Sequence, residues 1–294
     1  MRILLFGREG QLGWELHRCV YPLGEVLAID KDELDITLQD ALVQLIRQFQ
    51  PHVILNSAAY TDVDQAESNY ELAHAVNGIA PGIMADEAKS LGSLLIHYST
   101  DYVFDGKKGA QYSEEDFPNP INSYGKTKLD GENSIKAIDG GYLILRTSWV
   151  YGMRLPSFPT KVLEWARKQK VMSVVDDQIG SPTWCRILAG ITALLLSRGG
   201  KDPLNYYREL KGTYHVAGLG VASRYEWAQA IVENDLHAQE QTVQELNPVR
   251  SDEFETAAQR PRFSALDCTL FQSVFNLRIP DWKETLILAM RETA

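Results

Sequence analysis

Short, continuously apolar segments alternate with amphipathic segments through the first half of the chain. Five apolar segments have the length and composition of buried parallel strands: residues 3–6, 26–29, 53–56, 94–98 and 142–147. Between them, apolar residues recur at helical spacing in four segments: 14–20, 41–49, 65–91 and the segment that begins at Tyr124. This alternation predicts an α/β fold with a doubly wound parallel sheet, Rossmann-like in plan.

The alternation is less regular after Gly152. We expect helices at 160–170, 184–196, 224–236 and 281–292, strands at 171–175 and 213–217, and loops at 197–211 and 247–264. Ser223, with Glu226 three positions later, forms a capping box at the start of the third of these helices. The sequence therefore predicts a first domain at 1–150 and a smaller C-terminal α/β domain at 151–294, with some segments returning to the first.

The composition excludes several classes of protein. Of the 294 residues, 45% are apolar and 23% are charged, as in soluble globular proteins. The net charge of −10 argues against nucleic acid or an anionic membrane as a partner. Cys19, Cys185 and Cys268 are too few and too far apart for a disulfide framework, and no apolar run reaches membrane-spanning length. We expect a cytoplasmic protein.

A glycine-rich segment follows the first predicted strand directly. Gly7, Gly10 and Gly13 are spaced G-x-x-G-x-x-G, and a helix follows them. Glycines here permit a tight turn and let the backbone approach a pyrophosphate, which the N-terminus of the next helix then faces. The segment predicts a dinucleotide site.

The ends of the next two strands extend this predicted site. Asp30 ends the second strand, twenty residues after Gly10, where a carboxylate suits the adenosine ribose hydroxyls. Lys31 follows and would tolerate a ribose 2′-phosphate, so the choice between NAD and NADP stays open. Asp35 and Ile36 follow in a loop that can reach the adenine. After the third strand, small residues leave room for the ligand, in the segment Ser57, Ala58, Ala59, Tyr60 and Thr61.

A tyrosine and a lysine are spaced for joint chemistry. Tyr124 and Lys128 lie four residues apart, so on a helix they share one face. A nearby cation favours the phenolate and brings the hydroxyl closer to acid/base work. Alone, this spacing also fits any tyrosine on an amphipathic helix. His97, inside the fourth strand, is interpreted as structural.

These features together resemble the extended short-chain dehydrogenase/reductase superfamily, with Thr100 as the hydroxyl residue that accompanies the tyrosine and lysine. Within it, four blocks resemble the dTDP-4-dehydrorhamnose reductase family: GQLGWEL at 10–16, STDYVFDG at 99–106, RTSWVYG at 146–152 and DQIGSPT at 177–183. The resemblance covers nearly the whole chain. It implies reduction of the C4 ketone of dTDP-4-dehydro-L-rhamnose by NADPH or NADH, giving dTDP-L-rhamnose, with the second domain binding the sugar nucleotide.

The resemblance also implies a role for each matching residue. Tyr124 would donate a proton to the C4 oxygen, Thr100 would hydrogen-bond that oxygen, and Lys128 would bind the nicotinamide ribose and tune Tyr124. Asp101 and Trp149 would contact the sugar nucleotide. The implied cofactor contacts are Gly10, Gln11, Leu12, Asp30, Asp35, Ile36, Ala59, Tyr60 and Thr61.

Some positions depart from the family pattern. Ser157 and Phe263 each stand where the family usually has asparagine, and both lie in the predicted substrate domain, so the exact sugar nucleotide stays open. Some members bind Mg²⁺ through glutamates at a homodimer interface. Glu15 and Glu292 would serve, but Arg186 stands where another glutamate is expected. We therefore expect no metal and leave a homodimer open.

Two rival functions remain at this stage. One is a sugar-nucleotide 4-epimerase or 4,6-dehydratase of the same superfamily, which would hold NAD tightly and recycle it. Dehydratases usually carry acidic residues directly after the catalytic hydroxyl residue, whereas here only Asp101 follows Thr100. The other is a non-enzymatic regulatory subunit resembling the β subunit of methionine adenosyltransferase, which the intact Thr100, Tyr124 and Lys128 argue against.

Overall fold

A six-stranded, fully parallel sheet forms the centre of the protein, as seen in a computed structural model that describes residues 1–291. Its strand order is β10-β5-β4-β3-β1-β2. These strands are β1 (Arg2–Phe6), β2 (Glu25–Ile29), β3 (Val53–Asn56), β4 (Leu94–Thr100), β5 (Gly141–Thr147) and β10 (Gly212–His215). The strand order changes direction between β1 and β3, and in such sheets ligands bind beyond the carboxyl ends of the strands at this switch point.

Helices cover both faces of the sheet because its strands are apolar on both sides. In β1, Ile3 and Leu5 pack into one core while Leu4 and Phe6 pack into the other. The helices of the first half are α1 (Gln11–Val20), α2 (Gln39–Phe49), α3 (Gln65–Ser68), α4 (Tyr70–His74), α5 (Ala80–Leu91) and α6 (Ser123–Ile138). A π-helical segment, Ala75–Ile79, joins α4 to α5. The predicted doubly wound, Rossmann-like α/β fold is confirmed.

The second half adds helices and small sheets around the carboxyl ends of the central strands. Its helices are α7 (Phe158–Lys168), α8 (Cys185–Gly199), α9 (Pro203–Tyr207), α10 (Arg224–Glu233), α11 (Thr269–Phe275) and α12 (Trp282–Met290). Its other strands are β6 (Val150–Tyr151), β7 (Val171–Val175), β8 (Ile179–Gly180), β9 (Thr183–Trp184), β11 (Ala222–Ser223) and β12 (Glu245–Val249). Because β10 pairs with β5, part of the second half completes the central sheet, and the division at residue 150 stays a prediction.

Several elements of the second half differ from the sequence predictions. The expected loop at 197–211 contains α9, and the expected loop at 247–264 begins inside β12, which pairs in parallel with β7. Helix α11 was not predicted at all. The capping box of Ser223 and Glu226 is present, but its helix ends at Glu233 rather than 236. Residue 292, the expected end of the last helix, lies outside the described residues.

No helix in the described part of the chain combines the length and the apolar content needed to cross a bilayer.

Candidate active site

The glycine-rich turn between β1 and α1 forms a cradle with no room for side chains. Gly7 has a left-handed φ of +83°, and a Cβ there would lie 2.7 Å from the backbone nitrogen of Ala58. A Cβ on Gly13 would lie 1.8 Å from the Gly7 carbonyl oxygen. Gly10 is the N-cap of α1 and provides no capping side chain, so the first-turn N–H groups, including those of Gln11 and Leu12, stay open to a ligand. The cradle fits a dinucleotide pyrophosphate.

Asp30 stands beside this cradle at the end of β2. Its carboxylate accepts hydrogen bonds from the backbone N–H groups of Glu9 (2.8 Å) and Lys31 (2.8 Å). The structure thus brings Asp30 next to the glycine-rich turn, at the position suited to ribose hydroxyls.

Asp35 and Ile36 are placed differently from each other. The Asp35 carboxylate accepts hydrogen bonds from the backbone N–H and the hydroxyl of Thr37, which lower the pKa of this exposed side chain. The Ile36 side chain is instead buried in the core with Phe6 and Ile29, so only its backbone is open to an adenine.

The loop after β3 is held by a residue that the sequence analysis missed. Asn77 lies in the π-helical segment, and its side chain accepts from the Tyr60 backbone N–H (2.9 Å) and donates to the Tyr60 carbonyl (3.1 Å). It also donates to Thr127 Oγ1 on α6 (3.2 Å). Asn77 therefore positions the loop that contains Ala58, Ala59, Tyr60 and Thr61. In the structure, the π-helical segment is itself a signal for Asn77, since π-bulges often mark functional sites. No sequence pattern predicts a π-helical segment, so the sequence analysis could not use this signal.

Lys128 is buried and held by two acceptors. Its ammonium Nζ donates to the Tyr98 carbonyl oxygen (2.7 Å) and lies 3.2 Å from Nε2 of His97. Burial lowers the pKa of Lys128 to about 8 and, together with the nearby ammonium, keeps His97 neutral by lowering its pKa well below the ordinary value. His97 therefore has a structural role, as interpreted from the sequence. That role is to accept a hydrogen bond from the candidate catalytic lysine.

The proton positions on His97 follow from this contact. An ammonium has no lone pair to accept with, so Nε2 is the acceptor and Nδ1 carries the ring proton. Nδ1 lies 3.0 Å from the side-chain amide of Asn56, whose buried Oδ1 has no other partner. An amide orientation with Oδ1 toward the ring satisfies both groups. Asn56, His97 and Lys128 then form one directed chain.

The helix that presents Tyr124 and Lys128 is fixed to the sheet by a buried ion pair. Glu132 on α6 accepts from Nε and Nη2 of Arg146 on β5, at 2.8 and 2.7 Å, and from the Ser99 hydroxyl at 2.6 Å. Burial alone would raise the pKa of Glu132, but Arg146 outweighs it and the pKa is lowered. At the start of α6, Asn122 caps the Gly125 N–H at 2.8 Å.

Tyr124 lies beside Thr100, at the carboxyl end of β4. The Tyr124 hydroxyl lies next to the Thr100 side chain, and its ring meets the Tyr102 ring edge to face at 5.9 Å. Burial of the hydroxyl raises the pKa of Tyr124 well above its ordinary value, and the nearby Thr100 hydroxyl only partly opposes this. In contrast to the expectation that Lys128 makes this tyrosine more acidic, Lys128 Nζ donates to Tyr98 and His97 in the part of the chain that the structure describes.

Asp101 is buried, and its oxygens are engaged within the protein. Oδ1 accepts from the Thr100 hydroxyl (3.2 Å), and Oδ2 accepts from the hydroxyls of Ser148 (2.9 Å) and Ser264. Burial raises the pKa of Asp101 to about 6. The side chain thus joins the end of β4 to two segments of the second half, and its contact with the sugar nucleotide stays a prediction.

Trp149 is partly buried and lies between an aromatic cluster and a cation. It has a left-handed φ of +45°, a conformation that non-glycine residues adopt rarely and mostly at functional positions. Its ring stacks on Trp227 with centroids 5.6 Å apart, and the Arg224 guanidinium lies 3.6 Å above it. Arg224 also lies close enough to Tyr102 for each to shift the pKa of the other, which links Trp149 to the ring that contacts Tyr124.

Two arginines near Tyr102 were missed by the sequence analysis. Arg224 is close enough to Arg260 for the second cation to lower the pKa of the first, although burial is the larger cause. Arg260 lies in the segment 247–264 that was expected to be a loop, and it pairs with both oxygens of Asp64 at 2.6 Å. A signal for Arg224 was present, because it occupies the first position of α10, where the helix dipole disfavours a cation.

Glu15, which could serve in the metal site of some family members, is already paired. Glu15 accepts from Nε and Nη2 of Arg186 at 3.0 and 3.2 Å. A guanidinium on both oxygens does not fit a divalent cation at this carboxylate. Glu292 lies outside the described residues, within which no group of three acidic, histidine or cysteine side chains could hold a metal ion.

Comparison with known proteins gives full-length similarity. The family model described as the RmlD substrate binding domain matches residues 1–294. A dTDP-4-dehydrorhamnose reductase of Burkholderia thailandensis is 37% identical over 99% of both chains, and that of Escherichia coli K12 is 36% identical over 96% of this chain and 95% of its own. The crystal structure of a Bacillus anthracis dTDP-4-dehydrorhamnose reductase in complex with NADP has a TM-score of 0.89 at 34% identity, with 99% of both chains covered.

More distant structures share only the fold. A Thermus thermophilus UDP-glucose 4-epimerase in complex with NAD has a TM-score of 0.78 at 18% identity, covering 99% of this chain and 98% of its own.

Proposed function

The chain belongs to the RmlD substrate binding domain family, and from this premise we propose the reaction that it catalyses. It is an NADPH- or NADH-dependent oxidoreductase that reduces the C4 ketone of dTDP-4-dehydro-L-rhamnose to dTDP-L-rhamnose, in dTDP-rhamnose biosynthesis. The family resemblance inferred from the sequence motifs is thereby confirmed.

One observation carries the chemical part of the proposal. The Tyr124 hydroxyl lies next to the Thr100 side chain at the carboxyl end of β4, the same edge of the sheet at which the glycine cradle opens. A proton donor, a second hydroxyl and a candidate dinucleotide site are thus on one edge of the sheet, which is what reduction of a ketone requires.

The cofactor, when bound, supplies the hydride that the ketone carbon accepts. Negative charge then develops on the ketone oxygen, and Tyr124 gives its proton to that oxygen. The raised pKa of Tyr124 keeps the hydroxyl protonated until this charge appears. Thr100 supplies a second hydrogen bond to the same oxygen by turning its single hydroxyl proton away from Asp101.

Lys128 binds the ribose on the nicotinamide side in this proposal. Two of its three protons are directed to Tyr98 O and His97, so the third is available to a ligand. Its positive charge stabilises the phenolate that Tyr124 becomes after proton transfer. The other proposed cofactor contacts are those predicted from the sequence: Gly7, Gly10, Gln11, Leu12, Gly13, Asp30, Asp35, Ile36, Ala58, Ala59, Tyr60 and Thr61.

The sugar nucleotide carries a diphosphate, and the proposal assigns it to the arginines. Arg224 and Arg260 are close enough to repel each other, although the chain as a whole carries a net charge of −10. Two cations held together in an acidic protein favour an anionic ligand between or beside them. Trp149, under the Arg224 guanidinium, provides an aromatic face for the sugar or base. Asp101 orients Thr100 and acts on the substrate through it.

The assay that tests the proposal is NADPH oxidation, followed by absorbance, with dTDP-4-dehydro-L-rhamnose and separately with its UDP analogue. Turnover with the dTDP sugar supports the proposed reaction. Purified protein that retains NAD and turns over without added cofactor would support an epimerase or dehydratase. Cofactor binding without turnover of any 4-keto sugar nucleotide would support the regulatory subunit.

The proposed enzyme is a homodimer in the cytoplasm. We propose a homodimer through the exposed side of α8, where Leu194 is half exposed and a Cβ on Gly190 would meet no atom within 4 Å. Light scattering at several protein concentrations tests this. A cytoplasmic location agrees with Cys19, Cys185 and Cys268, which are free cysteines.

A further inference from the structure

An arginine within the glycine-rich turn is held by two glutamates. Arg8 Nε donates to Glu9 Oε1 at 3.0 Å, and Arg8 Nη1 donates to Glu33 Oε1 at 2.9 Å. Nη1 also donates to the Ala28 carbonyl at 2.9 Å, which fixes the guanidinium against the end of β2. The cation therefore lies at the edge of the dinucleotide cradle with its charge already compensated.

Glu33 connects this arginine to the ribose-binding carboxylate. Its Oε2 accepts from the Asp30 backbone N–H at 3.0 Å, while its Oε1 accepts from Arg8. Asp30 in turn accepts from the Glu9 N–H at 2.8 Å. Arg8, Glu9, Asp30 and Glu33 thus form one closed hydrogen-bonded ring around the position predicted for the adenosine ribose.

The chemistry of this ring distinguishes the two dinucleotides. An acidic residue at the end of the second strand suits the 2′-hydroxyl of NAD(H), whereas an arginine nearby accommodates the 2′-phosphate of NADP(H). The chain carries both groups. Arg8 retains one-third of its side-chain exposure and Glu33 about two-fifths. Exposed ion pairs of this kind are weak, so a dianionic phosphate can compete with Glu33 for the guanidinium.

We propose that Arg8 is the 2′-phosphate-binding residue of this enzyme and that Glu33 restrains it, so that the Arg8–Glu33 contact sets the preference between NADPH and NADH. With NADH, the ring stays closed and Asp30 receives the ribose hydroxyls. With NADPH, the guanidinium leaves Glu33 for the phosphate. This inference rests on the proposed function, because it needs the cradle to bind a dinucleotide.

The test measures dissociation constants of NADPH and NADH by quenching of protein fluorescence. Glu33→Gln keeps an acceptor for the Asp30 N–H but removes the charge that restrains Arg8, so NADPH should bind about 2–5-fold more tightly while NADH is unchanged. Arg8→Met removes the phosphate contact and should weaken NADPH roughly 10-fold or more, again with NADH unchanged.

Two controls separate restraint from simple repulsion. Glu25→Gln makes the same change in net charge at the opposite end of β2, where Glu25 is paired with Arg2, and should leave both constants unchanged. In the Arg8→Met background, Glu33→Gln should lose most of its effect, because there is no cation to release.

The outcomes separate the inference from the function on which it rests. Failure of the wild-type protein to bind either dinucleotide would overturn both. Binding of both dinucleotides with a preference that neither variant moves would overturn the role of Arg8 and leave the proposed function standing. A Glu33→Gln gain that persists in full without Arg8 would overturn the restraint.

Discussion

The imidazole Nε2 of His97 lies 3.2 Å from the ammonium Nζ of Lys128, with both side chains buried. His97 comes from β4 and Lys128 from α6, so the contact joins the strand that carries Thr100 to the helix that carries Tyr124. At this buried position the neutral His97 imidazole accepts from the ammonium and so fixes the position of the Lys128 charge.

Replacing His97 should reduce cofactor affinity. His97→Leu removes an acceptor of a charged donor, an interaction of roughly 1.5–3 kcal/mol, so NADPH binding and kcat/KM should fall about 10-fold or more. His215→Leu is the matched control, since that buried histidine contacts the Tyr112 carbonyl and the Arg146 guanidinium but not Lys128 itself. Fluorescence titration of NADPH checks this. Equal losses in the two variants would indicate a general packing defect.

The low pKa of Lys128 predicts an alkaline limit to activity. Its ammonium loses a proton as the pH rises through about 8, so kcat/KM should fall above that pH. The free energy of unfolding should change in the opposite direction and rise with pH. The folded pKa is below the ordinary value of 10.5, so the burial cost applies in full below pH 8 and diminishes as the pH rises from about 8 toward 10.5.

Urea unfolding of wild type and Lys128→Met at several pH values, with kcat/KM measured in parallel, checks both signs. Lys126→Met, an exposed lysine on the same helix, is the control. A wild-type kcat/KM that stays level to pH 10 would show that bound ligands or solvent hold the proton on Lys128.

Removing the Tyr124 hydroxyl should abolish most of the chemistry while preserving the fold. Tyr124→Phe keeps the ring contact with Tyr102, so NADPH affinity and melting temperature should hold while kcat falls by roughly 10²–10⁴-fold, the usual contribution of a general acid. Thr100→Val should cost less, because it removes one hydrogen bond rather than the proton. Single-turnover rates with saturating NADPH measure this step. Near wild-type turnover by the phenylalanine variant would place the proton donor elsewhere.

Trp149 should contribute to both the substrate pocket and the aromatic cluster. Trp149→Ala exposes the Arg224 guanidinium and removes the stacking on Trp227, so we expect a higher KM for the sugar nucleotide together with a lower melting temperature. NADPH affinity should not change. Compared with Trp149→Ala, Trp149→Phe should restore more of the melting temperature than of the KM for the sugar nucleotide. A destabilised alanine variant with normal KM would assign Trp149 to packing alone.

The Glu15–Arg186 pair predicts independence from divalent cations. A chelator should leave kcat and melting temperature unchanged, because a guanidinium already neutralises Glu15. Arg186→Met leaves a mostly buried carboxylate without this partner and should lower the free energy of unfolding by roughly 1–3 kcal/mol. Calorimetry with and without Mg²⁺ checks both. Stabilisation of the wild-type protein by Mg²⁺ would contradict the reading of this site.

The sequence by itself determined the central sheet and the cofactor cradle. Strands buried on both faces need continuous apolar runs, which can be recognised in the sequence. Gly7, Gly10 and Gly13 lie where the backbone must turn tightly, and their spacing is equally local. The positions of Tyr124 and Lys128 on one helix face followed from helical spacing in the same way. Short or exposed elements were not predicted from the sequence, because they lack such a pattern. Strand β12, for example, is largely exposed and contains Pro248.

Only the tertiary structure decided which side chains meet across distant segments. Asn56 and His97 direct Lys128, and Ser148 and Ser264 occupy the oxygens of Asp101, through contacts between residues from 31 to 163 positions apart. The pKa of Tyr124 also depends on the packing of separate elements, because burial of the hydroxyl raises it and Lys128 is not among the groups that shift it. Spacing along the chain encodes local faces and turns, whereas burial and the partners of charged groups depend on how separate elements pack.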